Sequence, residues 1–204
     1  MTERAPLLPD DAIRLKVKAE LRKRMRGLRK TMPSSACEER SSRIRARLEA
    51  HGAVRSAGSI ALFFPITKGN EVDLRATDQA LRDRGARVAY PSIDPESGQM
   101  TFHFTASTDE LGERGHGFRE PPPEAEEAKV LDLIVVPALA VAPTGHRLGY
   151  GAGYYDRALP RFPGATTIAV IYDFQLLIEL PVFPHDVPVR HVVTDARELE
   201  ASPD

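Results

Sequence analysis

Val130-Leu-Asp-Leu-Ile-Val-Val-Pro137 is an almost unbroken apolar run of strand length, closed by a proline. A strand with one wet face alternates apolar and polar residues. One that is apolar at nearly every position is buried on both faces, the condition of a central strand in a parallel sheet. SIALFF (Ser59 to Phe64) upstream and TTIAVIY (Thr166 to Tyr172) downstream read the same way. RVAYP (Arg87 to Pro91), QMTFHF (Gln99 to Phe104) and VRHVVT (Val189 to Thr194, expected to be the last) are further strands, and DPESG (Asp94 to Gly98) is a turn.

Between these runs the period changes. Residues 11–32 carry Ile13, Val17, Leu21, Met25, Leu28 and Met32 at steps of three and four, the stripe of an amphipathic helix, stopped by Pro33. Ser35 with Glu38 has capping-box spacing and opens a second helix to about Ala50. A third covers 73–84 before Gly85. Strands alternating with helices predict an α/β fold. We expect three α/β/α layers around a mostly parallel, mixed sheet, preceded by two N-terminal helices. Residues 1–204 form one domain, with 1–10 and 198–204 expected to be flexible. The polar segment Arg114 to Ala128 is expected as a long surface connection within that domain.

Composition narrows the class. The formal net charge of −1 gives no electrostatic reason to expect a nucleic-acid or membrane partner. One cysteine, Cys37, rules out an intramolecular disulfide and suits the cytoplasm. The opening MTERAPLLPDD lacks a signal-peptide core, and no apolar run reaches membrane-spanning length.

In such sheets ligands sit beyond the carboxyl ends of strands. Phe64 and Pro137 end two buried strands, so the loops after them should share one rim. The second leads to RLGYGAGYYDR, Arg147 to Arg157, with Gly149, Gly151 and Gly153 at every second position. Glycine this dense is costly to order and is tolerated where backbone must approach a ligand or take positive φ. Its N–H groups could cradle an anion, with Asp156 placed to hold a metal. The spacing is neither G-x-G-x-x-G nor a Walker A loop, so a plain glycine turn stays open. Tyr150, Tyr154 and Tyr155 are placed to line a ligand.

Residues 14–30 hold nine Lys or Arg against one acid, Glu20. At about 100° per residue, Lys16, Lys23, Arg26 and Lys30 face water, while Lys18, Arg22 and Arg29 cluster at the edge of the apolar stripe. Arg24 projects onto the apolar side, for which the sequence offers no reason. A solvated face, an anion-facing edge and a nucleic-acid surface all remain open here. Asp73 suits a helix cap; Glu71 has no such easy structural role. The histidines lack metal-ligand spacing, and no nucleophile elbow is present.

Four pieces, KAELR (Lys18 to Arg22), EVD (Glu71 to Asp73), VPALAVAPTGHRLGYGAGYYDRAL (Val136 to Leu159) and LPVFPHD (Leu180 to Asp186), resemble the 5-formyltetrahydrofolate cyclo-ligase family in order and spacing. The resemblance implies an ATP-dependent ring closure of 5-formyltetrahydrofolate to 5,10-methenyltetrahydrofolate, with Mg²⁺ as cofactor. It implies ATP contacts at Lys18, Ala19, Glu20, Leu21 and Arg22, and at Arg147, Leu148, Gly149, Tyr150, Gly151, Ala152, Gly153, Tyr154 and Tyr155. Folate would meet Phe64, Glu71 and the stretch Tyr150 to Tyr154. Asp156 and Asp186 would hold the metal, and Arg147, Tyr154 and Asp156 would be catalytic. The partners implied are small molecules, acting on a monomer or weak homodimer. An enzyme of similar build acting on another formylated or heterocyclic amide is the nearest rival. Three departures stand out: a long loop between Phe64 and Glu71, Ala152 where relatives often carry glycine or lysine, and Arg190 after the last motif.

Overall fold

The structure, a computed structural model, describes residues 9–114 and 117–202. Helices α1 (Pro9–Lys30), α2 (Ser34–Ala50) and α3 (Gly52–Ser56) precede the first strand, β1 (Ser59–Ala61). Then come α4 (Arg75–Asp83), β2 (Arg87–Ile93), β3 (Met100–Phe104), β4 (Leu133–Pro137), α5 (Tyr154–Ala158), β5 (Thr166–Val170), β6 (His191–Val193) and β7 (Glu198–Glu200).

The seven strands form one sheet in the order β7-β6-β5-β4-β1-β2-β3. The five inner strands are mutually parallel; β3 and β7 close the two edges antiparallel. Leu133–Pro137, within the run Val130 to Pro137, thus supplies a central strand, as its nearly unbroken apolar character predicts. The pleat sends alternate residues to opposite faces. Ile60, Val88, Tyr90, Leu133, Val135 and Ile168 pack with α2, α3 and α4 residues such as Ile44, Leu48, Val54 and Leu81. Ala61, Ala89, Ile134, Val136 and Ala169 pack on the other side with Ala158 of α5 and with Leu159 and Phe162. The expected α/β/α layering is therefore present.

Helix α1 stands outside these layers. Its Met25 and Leu21 pack on a small third cluster with Leu139, Ala142, Leu148 and Leu180. This bears out only part of the sequence reading of its apolar stripe. Ile13, Val17 and Leu28 are 62%, 41% and 42% exposed, whereas Lys18 and Arg29 are 5% and 3% exposed. The helix turns its cationic edge inward because that edge finds buried acceptors, described below.

Smaller corrections have local causes. Pro33 occupies the N-cap of α2, and no side chain caps it, so the Ser35–Glu38 box does not open that helix. The Asp73 cap is partly realised: its Oδ1 accepts from Arg75 N–H at 3.0 Å, though α4 starts at Arg75. The stretch after β6 continues into β7, so Glu198–Glu200 is ordered by pairing with His191–Val193, and β6 is not the last strand. Likewise Pro9 and Asp10 belong to α1. The flexibility expected of 1–8 and 203–204 falls outside the described residues. Within the 114–128 connection, Arg119–Glu120 pairs antiparallel with Gly112–Glu113, and Ala128 N–H donates to Phe102 O at 2.8 Å. Among the described residues no helix is long and apolar enough to cross a membrane.

Candidate functional site

The strand order reverses direction between β1 and β4: the chain runs outward from β1 through β2 and β3, and from β4 through β5 and β6. In open parallel sheets the splayed loops at this switch point leave a crevice. A cavity of about 240 Å³ lies there. Phe63, Phe64 and Ile66 after β1 and Pro137 at the end of β4 form part of its wall. Pro91, Met100 and Phe118 contribute from the β2 side. The rest comes from Glu71, from Arg147 and from Gly149 through Asp156. The two loops expected at one rim do share it.

The glycine run supplies backbone rather than bulk. Gly151 and Gly153 take φ of 118° and 66°, left-handed values that a side chain would strain. Gly153 then serves as the N-cap of α5, which is only five residues long. Above Gly151 lies the guanidinium of Arg22, 3.6 Å from where a Cβ would stand. Arg22 Nε also donates to Gly149 O at 2.9 Å. Burial lowers Arg22 from the usual arginine range, with neighbouring Arg26 acting the same way.

Lys18, one turn earlier on α1, is ion-paired with Asp186 and lies 4.6 Å from the centre of the Phe183 ring. Asp186 Oδ2 additionally accepts from Phe183 N–H at 2.8 Å. Beside it, Arg147 donates to Asp156 Oδ1 at 2.8 Å and to Val187 O. Val187 N–H donates to the same Asp156 oxygen at 3.2 Å. The 183–187 segment therefore gathers both aspartates and two cations beside the residues that flank the glycine loop. Arg147 is 8% exposed, and burial is the main influence lowering it, opposed first by Asp156.

Glu71, which meets the loop at Tyr150, is 7% exposed. Its Oε2 accepts from Ile66 N–H at 2.8 Å and its Oε1 from Tyr150 OH at 2.5 Å. Arg29 donates to that same tyrosine oxygen at 2.5 Å and places Nη1 3.8 Å from Glu71 Oε1. Burial pushes the Glu71 carboxyl up, while Arg29, Ile66 N–H and the Tyr150 hydroxyl oppose it. Tyr150 is itself raised by burial and by Glu71. Tyr155 lines the same cavity with a buried hydroxyl that has no hydrogen-bond partner among the described residues. Burial, and then Glu71, raise its pKa too.

The family model described as 5-formyltetrahydrofolate cyclo-ligase family matches residues 14–195. The chain belongs to the 5-formyltetrahydrofolate cyclo-ligase family. It is 35% identical over 191 residues to the 5-formyltetrahydrofolate cyclo-ligase of Mycolicibacterium smegmatis, covering 90% of this chain and 96% of that one. To the Escherichia coli K12 cyclo-ligase it is 29% identical over 182 residues, with 86% and 99% covered. The solved structure of Aquifex aeolicus 5,10-methenyltetrahydrofolate synthetase superposes with a TM-score of 0.78 at 30% identity, covering 91% and 93% of the two chains.

Against the cyclo-ligase resemblance, the geometry brings most of the anticipated residues together. Phe64, Glu71, Arg147, Asp156 and the loop from Gly149 to Tyr155 all line the one cavity. Lys18 and Arg22 reach this assembly from α1, and Leu21 and Leu148 pack beneath it. Ala19 and Glu20, between the two cations, are exposed. Ala152 has a cation beside it after all, because Arg157 Nη1 donates to its carbonyl at 2.8 Å. Nothing in the structure gives Arg190 a part in this site. Arg29 was grouped with Lys18 and Arg22 by helical geometry but not carried into the expected site. The missed signal was that all three cations lie on one edge, so a surface engaging two would engage the third. Phe118 was hidden in a segment that reads only as polar connection.

Proposed function

We propose that this chain closes the ring of 5-formyltetrahydrofolate to 5,10-methenyltetrahydrofolate at the cavity between β1 and β4, consuming MgATP and releasing ADP and phosphate. The observation that carries the reading is the meeting of two unlike chemistries on one loop. Arg22 holds the carbonyl of Gly149 and the Arg147–Asp156 pair flanks the loop, with the Lys18–Asp186 pair alongside, while Tyr150 meets a buried carboxylate, Glu71. A polyphosphate suits the cations and a flat heterocycle bearing N–H donors suits the carboxylate.

The chemistry explains why both are needed. A formamide carbon is a weak electrophile and its oxygen a poor leaving group. The formyl oxygen attacks the γ-phosphorus of ATP, the bond from that phosphorus to the β,γ-bridging oxygen breaks, and ADP departs. N10 then adds to the activated carbon, the carbon–oxygen bond breaks, phosphate leaves carrying the former formyl oxygen, and the N10 proton passes to solvent. Phosphoryl transfer of this kind depends on in-line positioning and charge neutralisation more than on covalent help. Lys18, Arg22 and Arg147, with the backbone N–H groups of the glycine loop, supply that charge at fixed positions. Tyr154 and Phe64 wall the reacting centre, and Glu71 accepts from N–H groups of the pterin.

Asp156 and Asp186 fit a magnesium site by donor chemistry. Both are carboxylates, each accepting a backbone N–H of the 183–187 segment, and Asp156 faces the cavity. Mg²⁺ prefers such hard oxygen donors, keeps several waters and neutralises phosphate charge when bound. We place the enzyme in the cytoplasm as a monomer or weak homodimer, with small molecules as its partners. The test is an assay of purified protein with MgATP. ADP release should require 5-formyltetrahydrofolate and run in step with methenyl absorbance. ADP release indifferent to that folate would instead favour a different amide substrate.

A further inference from the structure

We infer that Arg29 is a positioning residue for the folate end of the site, holding Glu71 as an ionised, pre-aimed acceptor from behind the cavity wall. The inference rests on the reading of Glu71 as the pterin contact.

Arg29 does not line the cavity; Glu71 and Tyr150 stand between. It reaches Glu71 by two routes, directly at 3.8 Å and through the Tyr150 hydroxyl. Its own place is fixed. Asn70 donates to the Arg29 and Met32 carbonyls at 2.7 and 3.2 Å, tying the end of α1 to the loop that carries Glu71. Arg29 is 3% exposed, and its Nε is buried without a partner among the described residues. A buried guanidinium accepting that cost has a reason when its removal would leave a carboxylate alone.

The ionised state matters for recognition. A carboxylate is acceptor-only, and each oxygen has a second lone-pair site after Tyr150 and Ile66 N–H have used the first. Those sites can take two N–H donors from a pterin. A protonated acid would offer a donor instead and would lose half of that pattern. Desolvation favours the neutral acid, and Arg29 is the largest influence opposing it. The groups facing Glu71 are Arg29 on α1, Tyr150 on the glycine loop, Tyr155 on α5, and Tyr172 after β5, whose hydroxyl donates to the Glu71 carbonyl at 3.3 Å. Of these, Arg29 alone is a cation.

The test is Arg29→Met, with Arg29→Lys as the charge-retaining control and Glu71→Gln as the control for the underlying reading. For Arg29→Met we expect folate KM at pH 7 to rise by about tenfold or more, equivalent to one unit of displaced titration, with ATP KM within about twofold. The variant's folate KM should fall as pH rises, along a profile displaced to higher pH than the wild type's. Arg29→Lys should recover most of the loss. Infrared spectra of the folded proteins should show a protonated-carboxyl band in Arg29→Met that the added Glu71→Gln change removes. A KM loss independent of pH, no loss at all, or no such band overturns the assignment. If Glu71→Gln itself leaves folate KM unchanged, the pterin-contact reading falls instead. Should Arg29→Met not fold, the pH profile of the equally uncharged Arg29→Gln decides. A displacement to higher pH supports the role and an unshifted profile overturns it.

Discussion

Arg22 Nε donates to the carbonyl oxygen of Gly149 at 2.9 Å, joining residues 127 apart in sequence. A surface cation is rarely held this way, because ordering a long side chain in water yields little. Here it fixes α1 over the glycine loop and leaves the rest of the guanidinium facing Gly151. Arg22→Ala and Lys18→Ala should each raise ATP KM roughly tenfold or more, the scale of losing one hydrogen bond to a charged group. Reversing the exposed Lys16, Lys23 and Lys30 should leave ATP KM unaltered. Nucleic-acid affinity that fell steeply with salt and vanished on those reversals would favour the rival surface reading instead.

Asp156→Asn should cut turnover by roughly two to three orders of magnitude, as removal of a fixed charge from a reacting centre does. The asparagine oxygen can still accept from Arg147 and Val187 N–H, so the melting curve should stay within a few degrees. Near-normal turnover in the folded variant would take Asp156 out of the site.

Gly145 stands under the 187–189 segment. Its N–H donates to Ala142 O at 2.9 Å and its carbonyl accepts from Val189 N–H at 2.9 Å. A Cβ there would lie 2.2 Å from Val189 O, at a φ of 83°. Gly145→Ala should therefore destabilise the fold by at least about 2 kcal/mol, combining overpacking with backbone strain. Thermal denaturation checks it, and an unchanged Tm would mean that the turn relaxes freely.

The central sheet was legible because burial on both faces leaves a direct mark: Ile60, Ile134 and Ile168 sit in runs without polar interruption. The switch-point rim followed from Phe64 and Pro137 by the same logic. The buried face of helix α1 was read only in part: Leu21 and Met25 of the stripe pack inward and Lys16, Lys23, Arg26 and Lys30 face water as expected, but the face is rotated toward the cationic edge. Periodicity shows which residues share a face, yet Ile13, Val17 and Leu28 share one that ends up outward. What drew the helix in was a set of acceptors, Asp186, Gly149 O and the Tyr150–Glu71 pair, that only the tertiary fold assembles. Arg29 stayed hidden for that reason, and β7 because Glu198–Glu200 is a polar edge strand that takes its order from β6.

Asp132 gives a pH-dependent prediction remote from the site. It accepts from Ser59 N–H and hydroxyl at 2.8 and 2.9 Å and from Gly58 N–H at 2.9 Å, which clamps the start of β1 to β4. These bonds, the Ser59 backbone first, hold its carboxyl below the usual aspartate range. Because the folded value is depressed, the stabilisation is full above the unfolded value and is lost as pH falls through the folded one. Asp132→Ala should melt several degrees lower at pH 7, and the gap should close on acidification below about pH 4, near the unfolded aspartate value. A gap that persisted at low pH would assign the loss to packing.

The most direct test follows the formyl oxygen. With 5-formyltetrahydrofolate labelled with ¹⁸O in its formyl group, each turnover should place that atom in the released inorganic phosphate, detectable by mass spectrometry alongside unlabelled ADP. Phosphate free of the label, with methenyl product still forming, would contradict transfer of the γ-phosphoryl group to the formyl oxygen.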